Sequence, residues 1–134
     1  TLSCASLFPY FVGFDNDIVG FQKALGSLER RFGVVACDSQ ENCYQWSSPN
    51  SWAPLNFVAF AAAKRLSLTE DALRIAKKYV EATDKLFAQT GKLWEKYNAE
   101  NGELDHASEY GTPDMLGWTA GVYIVCKNAI EQIV

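Results

Sequence analysis

Residues 68–91 read LTEDALRIAKKYVEATDKLFAQTG. Thr69 is placed to cap a helix, Glu70 and Asp71 fill its positive first turn, and Leu68 with Leu73 takes the N′ and N4 positions of a hydrophobic staple. Behind that start, Leu73, Ala76, Val80, Thr83 and Phe87 recur as one stripe at helical spacing. Lys77, Lys78, Glu81 and Lys85 fall on other faces, and Gly91 supplies the stop. A long amphipathic helix is predicted here, and it sets the class expected of the whole chain as all-α.

Three further helices are expected around it. Asp15 or Asn16 offers a cap to a helix with apolar positions Ile18, Phe21, Leu25, Leu28 and Phe32, ending near Arg30 and Arg31 with Gly33 as the stop. A second begins around Trp52, Ala53 and Pro54 and continues through Leu55, Val58, Ala59, Ala62 and Ala63 to Leu66, with the proline tolerated in its first turn. The last opens on Thr112, Pro113 and Asp114 in cap, N1 and N2 order. It carries Leu116, Thr119, Val122, Tyr123, Cys126, Ala129, Ile130 and Ile133 to the end. Two helix pairs result, separated by unusually long loops at 34–51 and 92–111, where function is to be sought. Asn101 and Gly102 read as a hairpin turn, so a short two-stranded ribbon is expected within the second loop.

Composition removes several function classes. The 134 residues suit one domain or a piece of a larger one, and 49% apolar content with 8 Phe, 6 Tyr and 4 Trp is enough for a core. A net charge of −4 leaves no basic surface for a phosphate backbone, so no nucleic-acid partner is expected. No run approaches the roughly 18 apolar residues of a bilayer span, so no membrane partner is expected either. The opening Thr1-Leu2-Ser3-Cys4 lacks the basic region of a signal peptide and follows no Met, which suggests that something has been lost upstream. Cys4, Cys37, Cys43 and Cys126 show no C-x-x-C spacing, so no metal site is expected. Cys37 and Cys43 enclose a turn-forming loop that a disulfide would close in an oxidising compartment, and the compartment stays open.

The first loop contains Tyr44-Gln45-Trp46-Ser47-Ser48-Pro49-Asn50-Ser51-Trp52, a mixture of amides, hydroxyls and indoles. Amides that donate and accept suit sugar hydroxyls, and an indole ring suits the C–H face of a pyranose. A Trp-anchored structural turn around Pro49 is the competing reading. In the second loop, Glu109 is either a solvated carboxylate or a general base that activates water. The latter role needs a second carboxyl group roughly 6.5 to 9.5 Å away as acid in an inverting glycoside hydrolysis. His106 reads as a loop hydrogen-bonding residue, and Glu95 with Lys96 as a structural charge pair beside the indole of Trp94. Gly117 and Gly121 are expected to let a neighbouring segment approach closely.

The run Gln45-Trp46-Ser47-Ser48-Pro49-Asn50-Ser51-Trp52-Ala53-Pro54-Leu55 resembles the Q-W-D-x-P-N-x-W-x-P-L signature of the α,α-trehalase family of glycoside hydrolases. Trp94-Glu95-Lys96-Tyr97-Asn98 looks like that family's E-K-Y segment. Glu109-Tyr110 followed by Gly117-Trp118-Thr119-Ala120-Gly121-Val122 looks like its E-Y…G-W-T-x-G-V ending. The three motifs stand in the family's order and cover about two thirds of the chain, and Ser6-Leu7-Phe8-Pro9-Tyr10-Phe11 is similar to the segment that precedes them. Two departures stand out: Ser47 replaces the signature aspartate, and Asp105-His106-Ala107-Ser108 replaces a glycine-rich run.

The resemblance implies four helices forming part of an (α/α)6 toroid, residues 1–134 being a single unit from the C-terminal part of its catalytic domain. It implies an inverting hydrolysis of α,α-trehalose or a related glucoside, with no metal and no organic cofactor. Glu109 is then the general base, and Gln45, Trp46, Asn50, Trp52 and Trp118 are the substrate-binding candidates. The family's general acid lies upstream of anything in this sequence, so the chain alone is expected to be inactive and its partner to be the rest of the domain or a second chain. The alternatives are a non-catalytic carbohydrate-binding or assembly subunit derived from the same fold, and three copies closing a ring between them.

Overall fold

The structure is a computed structural model that describes residues 1–39, 44–104, 111–114 and 117–132. Glu109, Tyr110, His106, Cys43, Leu116 and Ile133 lie outside the described residues. A 3-10 turn, Cys4–Leu7, leads into α1 (Phe8–Phe11), α2 (Ile18–Leu28) and a hairpin of β1 (Glu29–Arg30) and β2 (Gly33–Val34). Then come β3 (Asn50–Trp52), α3 (Ala53–Arg65), α4 (Thr69–Thr90), β4 (Lys96–Asn98) and α5 (Gly117–Glu131). Among the described residues, no helix is long and apolar enough to cross a membrane.

The core lies where α3, α4 and α5 pack against one another in all three pairings, with α1 laid on α3. Helix α3 buries Ala53, Leu55, Val58, Ala59, Phe60, Ala62 and Ala63, and its small residues let both neighbours come close. Helix α4 buries Ala72, Ile75, Ala76, Tyr79, Val80, Ala82, Thr83 and Leu86, a broader face than the expected stripe because α3 and α5 flank it on two sides. Phe87, at the end of that stripe, is 52% exposed. Thr69 is the first helical residue and Leu68 the cap position, while Gly91 ends the helix as expected, in the left-handed region at φ 69°. Helix α5 buries Thr119, Val122 and Cys126, as its spacing foretold, and the Tyr123 hydroxyl donates to Asp84 of α4 at 2.7 Å.

Five expectations need correction. Helix α2 is capped by Asp17, which accepts from the Val19 N–H at 3.1 Å, while Asp15 accepts from the Asp17 N–H. It stops at Leu28 because Glu29 turns extended and pairs with Val34; Gly33 is therefore a hairpin residue and not a helix stop. The ribbon expected around Asn101 and Gly102 is not local. These residues close a turn in which Asn98 Oδ1 accepts from the N–H groups of Glu100 and Asn101, and β4 pairs instead with β3 from the other long loop. The last helix begins at Gly117, since the Pro113 carbonyl accepts from the Glu95 N–H and Asp114 forms an antiparallel bridge with Trp94. A Cβ on Gly117 or Gly121 meets nothing within 4 Å, so neither glycine serves a close approach among the described residues.

One buried side chain joins the hairpin, both long loops and α3. Asn56, fully buried, accepts the Val34 N–H on Oδ1 at 2.9 Å, and its Nδ2 donates to Ser51 Oγ and the Trp52 carbonyl at 2.9 Å and more weakly to Tyr97 Oη at 3.3 Å. Ser51 Oγ donates to the Val34 carbonyl at 2.6 Å and Tyr97 Oη to the Phe32 carbonyl at 2.8 Å. Gly33, at φ 143°, is required here because a Cβ would stand 2.5 Å from both Asn56 Oδ1 and Tyr97 Oη. Outside the core, Glu29 ties the hairpin to α4 through Arg74 at 2.9 Å and Lys78 at 2.7 Å. Asp71 extends the chain of bonds from Arg74 to Gln22.

Asn56→Ala strands the buried Val34 N–H and takes a donor from the Ser51 and Tyr97 hydroxyls and the Trp52 carbonyl, and a loss of about 3 kcal/mol is expected in urea unfolding. Gly33→Ala should cost at least about 2 kcal/mol in the same assay, through strain and clash together. The Glu29 carboxyl is pushed up by burial, but its bonds to Arg74 and Lys78 outweigh that and hold it below its ordinary 4.5. A carboxyl depressed by folding gives stability that is complete above the unfolded value and fades as pH falls through the folded one. Thermal melts should therefore show an acid loss beginning below about pH 4.5, shallower in Glu29→Gln.

Candidate functional site

The β3–β4 ladder is the floor of the site. Its register sets Asn50 opposite Asn98, Ser51 opposite Tyr97 and Trp52 opposite Lys96, so the two loops expected to carry function are hydrogen-bonded to each other. The connection continues on both sides: the Ala99 N–H donates to the Pro49 carbonyl at 2.8 Å and the Ala36 N–H to the Asn50 carbonyl at 3.1 Å. On the far side, Thr119 Oγ1 donates to the Trp94 carbonyl at 2.8 Å, bringing the first turn of α5 to the same assembly. Residues 104 and 111, which bracket the segment holding Glu109, emerge next to anchored stretches, the turn over 98–103 and the strand-like 112–114.

Upon this floor two indoles stack. Trp46 and Trp52 lie with ring centroids 4.3 Å apart and planes 19° from parallel. Trp52 is only 2% exposed, covered also by Ala36 and Leu55, whereas Trp46 is 54% exposed. The inner ring thus supports and the outer ring presents, a flat apolar surface open to solvent. Asn50 is buried beside them; its Nδ2 reaches the Tyr44 carbonyl at 3.5 Å, and its Oδ1 has no hydrogen-bond partner among the described residues. Ser47 is also buried, its N–H donating to the Tyr44 carbonyl and its own carbonyl accepting from the Asn50 N–H, a tight turn behind the indoles. Gln45 is partly buried in that turn.

Trp118 is 40% exposed on the first turn of α5, and among the described residues no ring contact joins it to Trp46 or Trp52. The structure therefore brings Gln45, Trp46, Asn50 and Trp52 together and sets Trp118 on a neighbouring, tethered element. Sequence reasoning missed Ser51, Asn56 and Tyr97, which hold the floor, and it assigned Lys96 to the wrong indole. Lys96 Nζ lies 5.9 Å from the Trp52 centroid, while Trp94 is anchored by its own Nε1–H to Thr90 Oγ1 at 2.9 Å and faces Lys92. The alternation of the cross-strand pair would have revealed this only if the two loops had been known to pair.

The phenol and thiol buried at or near the floor are held in their neutral forms. Burial pushes the Tyr97 hydroxyl far up, so it stays protonated and donates at every physiological pH. The Cys126 thiol is pushed up to about 12 by burial, which keeps it unreactive. Among the described residues no group of three or more His, Cys, Asp or Glu is placed to hold a metal ion. What the arrangement can do chemically is present a rigid indole face and amide groups to a ligand with one apolar face and many hydroxyls.

The comparisons with known proteins follow the same lines. The family model described as Trehalase matches residues 2–130. The periplasmic trehalase of Xanthomonas oryzae pv. oryzae is 33% identical over 132 residues, which are 95% of this chain and 23% of that protein. The periplasmic trehalase of Pseudomonas aeruginosa is 31% identical over 127 residues, 90% of this chain and again 23% of the relative. The solved structure of neutral trehalase from Saccharomyces cerevisiae matches 96% of this chain and 24% of its own with a TM-score of 0.76, at 24% identity, a likeness of fold. The chain spans about a quarter of the length of these relatives, and since the family model runs through nearly all of it, the chain belongs to the trehalase family of glycoside hydrolases.

Proposed function

We propose that this chain supplies the general base and part of the sugar-binding wall of a trehalase-type inverting hydrolysis of α,α-trehalose or a related glucoside. The observation that carries the reading is the β3–β4 ladder. It fastens the amide-and-indole loop of Gln45, Trp46, Asn50 and Trp52 to β4 at the start of the second long loop, the loop in whose sequence Glu109 falls, and this pairing of the two loops supports a shared site. Glu109 takes a proton from water as that water attacks the anomeric carbon. An acid roughly 6.5 to 9.5 Å away protonates the departing oxygen, and the configuration inverts. That acid belongs to the remaining length of the catalytic domain, in the same polypeptide or another, of which residues 1–134 form a C-terminal unit.

The helices are read as part of an (α/α)6 toroid. Large apolar residues left exposed support this: Val12, Phe14 and Val19 around α1 and α2, and Phe87, Ile124 and Val125 on α4 and α5. A helical ring in which neighbouring hairpins cover these residues accounts for them without aggregation. One observation favours a second reading, a non-catalytic carbohydrate-binding or assembly subunit. Ser47 stands buried where the family signature has an acid, and without that carboxylate a charge-assisted bond worth about 1.5 to 3 kcal/mol is lost from the loop.

In a particle containing the remaining helices, Glu109→Gln should lower kcat for trehalose by about a thousandfold with little change in KM, read by glucose release. Residues 1–134 alone should release none. Trp46→Ala should raise the dissociation constant for the glucoside roughly three- to tenfold in calorimetric titration, the worth of one stacked ring. Titratable binding by a complete particle that never turns over would select the non-catalytic reading.

A further inference from the structure

Lys96 is 1% exposed, so its ammonium lies inside the protein. Five cation–π contacts occur among the described residues, and the other four cations, Arg31, Lys64, Lys85 and Lys92, are exposed or half-exposed. Of these five, Lys96 alone brings its charge to an indole inside the protein, 5.9 Å from the centroid of Trp52. There the attraction of a cation for a ring face is least weakened by water. The placement follows from the ladder, in which Lys96 and Trp52 are direct cross-strand partners and so share one face of the ribbon. A slip of one residue would move every one of these side chains to the opposite face, and the Ser51–Asn56–Tyr97 bonds forbid it.

We propose that Lys96 is a positioning residue: its ammonium fixes the plane of Trp52, and Trp52 in turn holds the stacked Trp46 as a preformed platform for the C–H face of a glucosyl ring. The second half of this statement rests on the sugar-binding reading above; the first half does not. Ordering the indole pair before ligand arrives removes part of the entropy cost of binding, so the charge acts on affinity through two rings without touching the sugar. Neutralising it should loosen the stack and weaken binding, while a cation of different shape should preserve both.

The test uses the intact protein with Lys96→Met and Lys96→Arg. Stacked indoles couple optically, and the resulting pair of opposite-signed circular dichroism bands, identified by its disappearance in Trp46→Phe, reports the platform without any sugar. Lys96→Met should reduce that couplet by at least about half and raise the dissociation constant for glucoside about two- to threefold, less than the loss of the Trp46 ring itself, with kcat changed less than about twofold. Lys96→Arg should keep the couplet. An undiminished couplet in Lys96→Met, or equal loss in both variants, overturns the proposal. Should Lys96→Met fail to fold, the ε-methylene protons of Lys96 in the unaltered protein decide: a strong upfield ring-current shift upholds the contact and an ordinary shift overturns it. If the unaltered protein binds no glucoside, the sugar-binding reading falls, and the positioning role still stands or falls on the couplet.

Discussion

The amide of Asn56 is the constraint on which the rest of the site depends. A single helix residue accepts from the backbone of β2 and donates to a hydroxyl and a carbonyl of β3, with a weaker bond to the phenol that follows Lys96 in β4. Every polar group in this cluster is buried, so each bond is made in a medium where its loss exposes no water to replace it. That satisfaction is what allows two long loops to lie against α3 as though they were secondary structure. The short β3–β4 ladder would be marginal by itself, because two strands of three residues bury too little surface to hold their register.

From that floor the geometry of the indoles follows in order. Asn56 fixes Ser51 and Tyr97, their pairing fixes Trp52 opposite Lys96, and Trp52 carries Trp46, whose outer face is open. The buried members hold the ring planes in place and the single exposed member leaves one face open, the arrangement that a preformed recognition surface requires. Away from this assembly the stabilising pattern changes character. The hairpin and α2 are joined to α4 by Glu29, Arg74, Lys78 and Asp71, a charged network at the edge of solvent that is sensitive to acid, whereas the Asn56 cluster contains no group that titrates in the physiological range.

Much of this was legible in the chain itself, and what was not has a common cause. The helical repeat of Phe21, Leu25 and Leu28, of Val58, Ala59, Ala62 and Ala63, and of Val122 and Cys126 announced the helices and their buried faces, since burial along one helix is a local pattern. The errors fall where a long-range partner overrides local preference. Pro113 and Asp114 have the look of a helix start, yet they are engaged by Trp94 and Glu95; Asn101 and Gly102 have the look of a local hairpin, yet the strand before them pairs across the fold. Gly33 has the look of a helix stop, yet it is glycine because Asn56 and Tyr97 need the space of its missing side chain. For the site, the indoles and amides of 44–52 were visible as a composition, whereas the roles of Asn56 and Lys96 depend on partners distant in sequence, 22 positions for Asn56–Val34, 41 for Asn56–Tyr97 and 44 for Trp52–Lys96.

The claim at the centre is that the chain holds one carboxylate of a two-carboxylate reaction and one segment of a ring. The most direct measurement is the intact mass of the native particle under non-denaturing conditions, with its trehalose hydrolysis assayed on the same sample. The expected result is an active particle heavier than the 14.9 kDa of these residues, with the remaining helices and the acid in the same or a second polypeptide. A monodisperse 14.9 kDa particle that hydrolyses trehalose would contradict it, because the acid would then have to lie within residues 1–134.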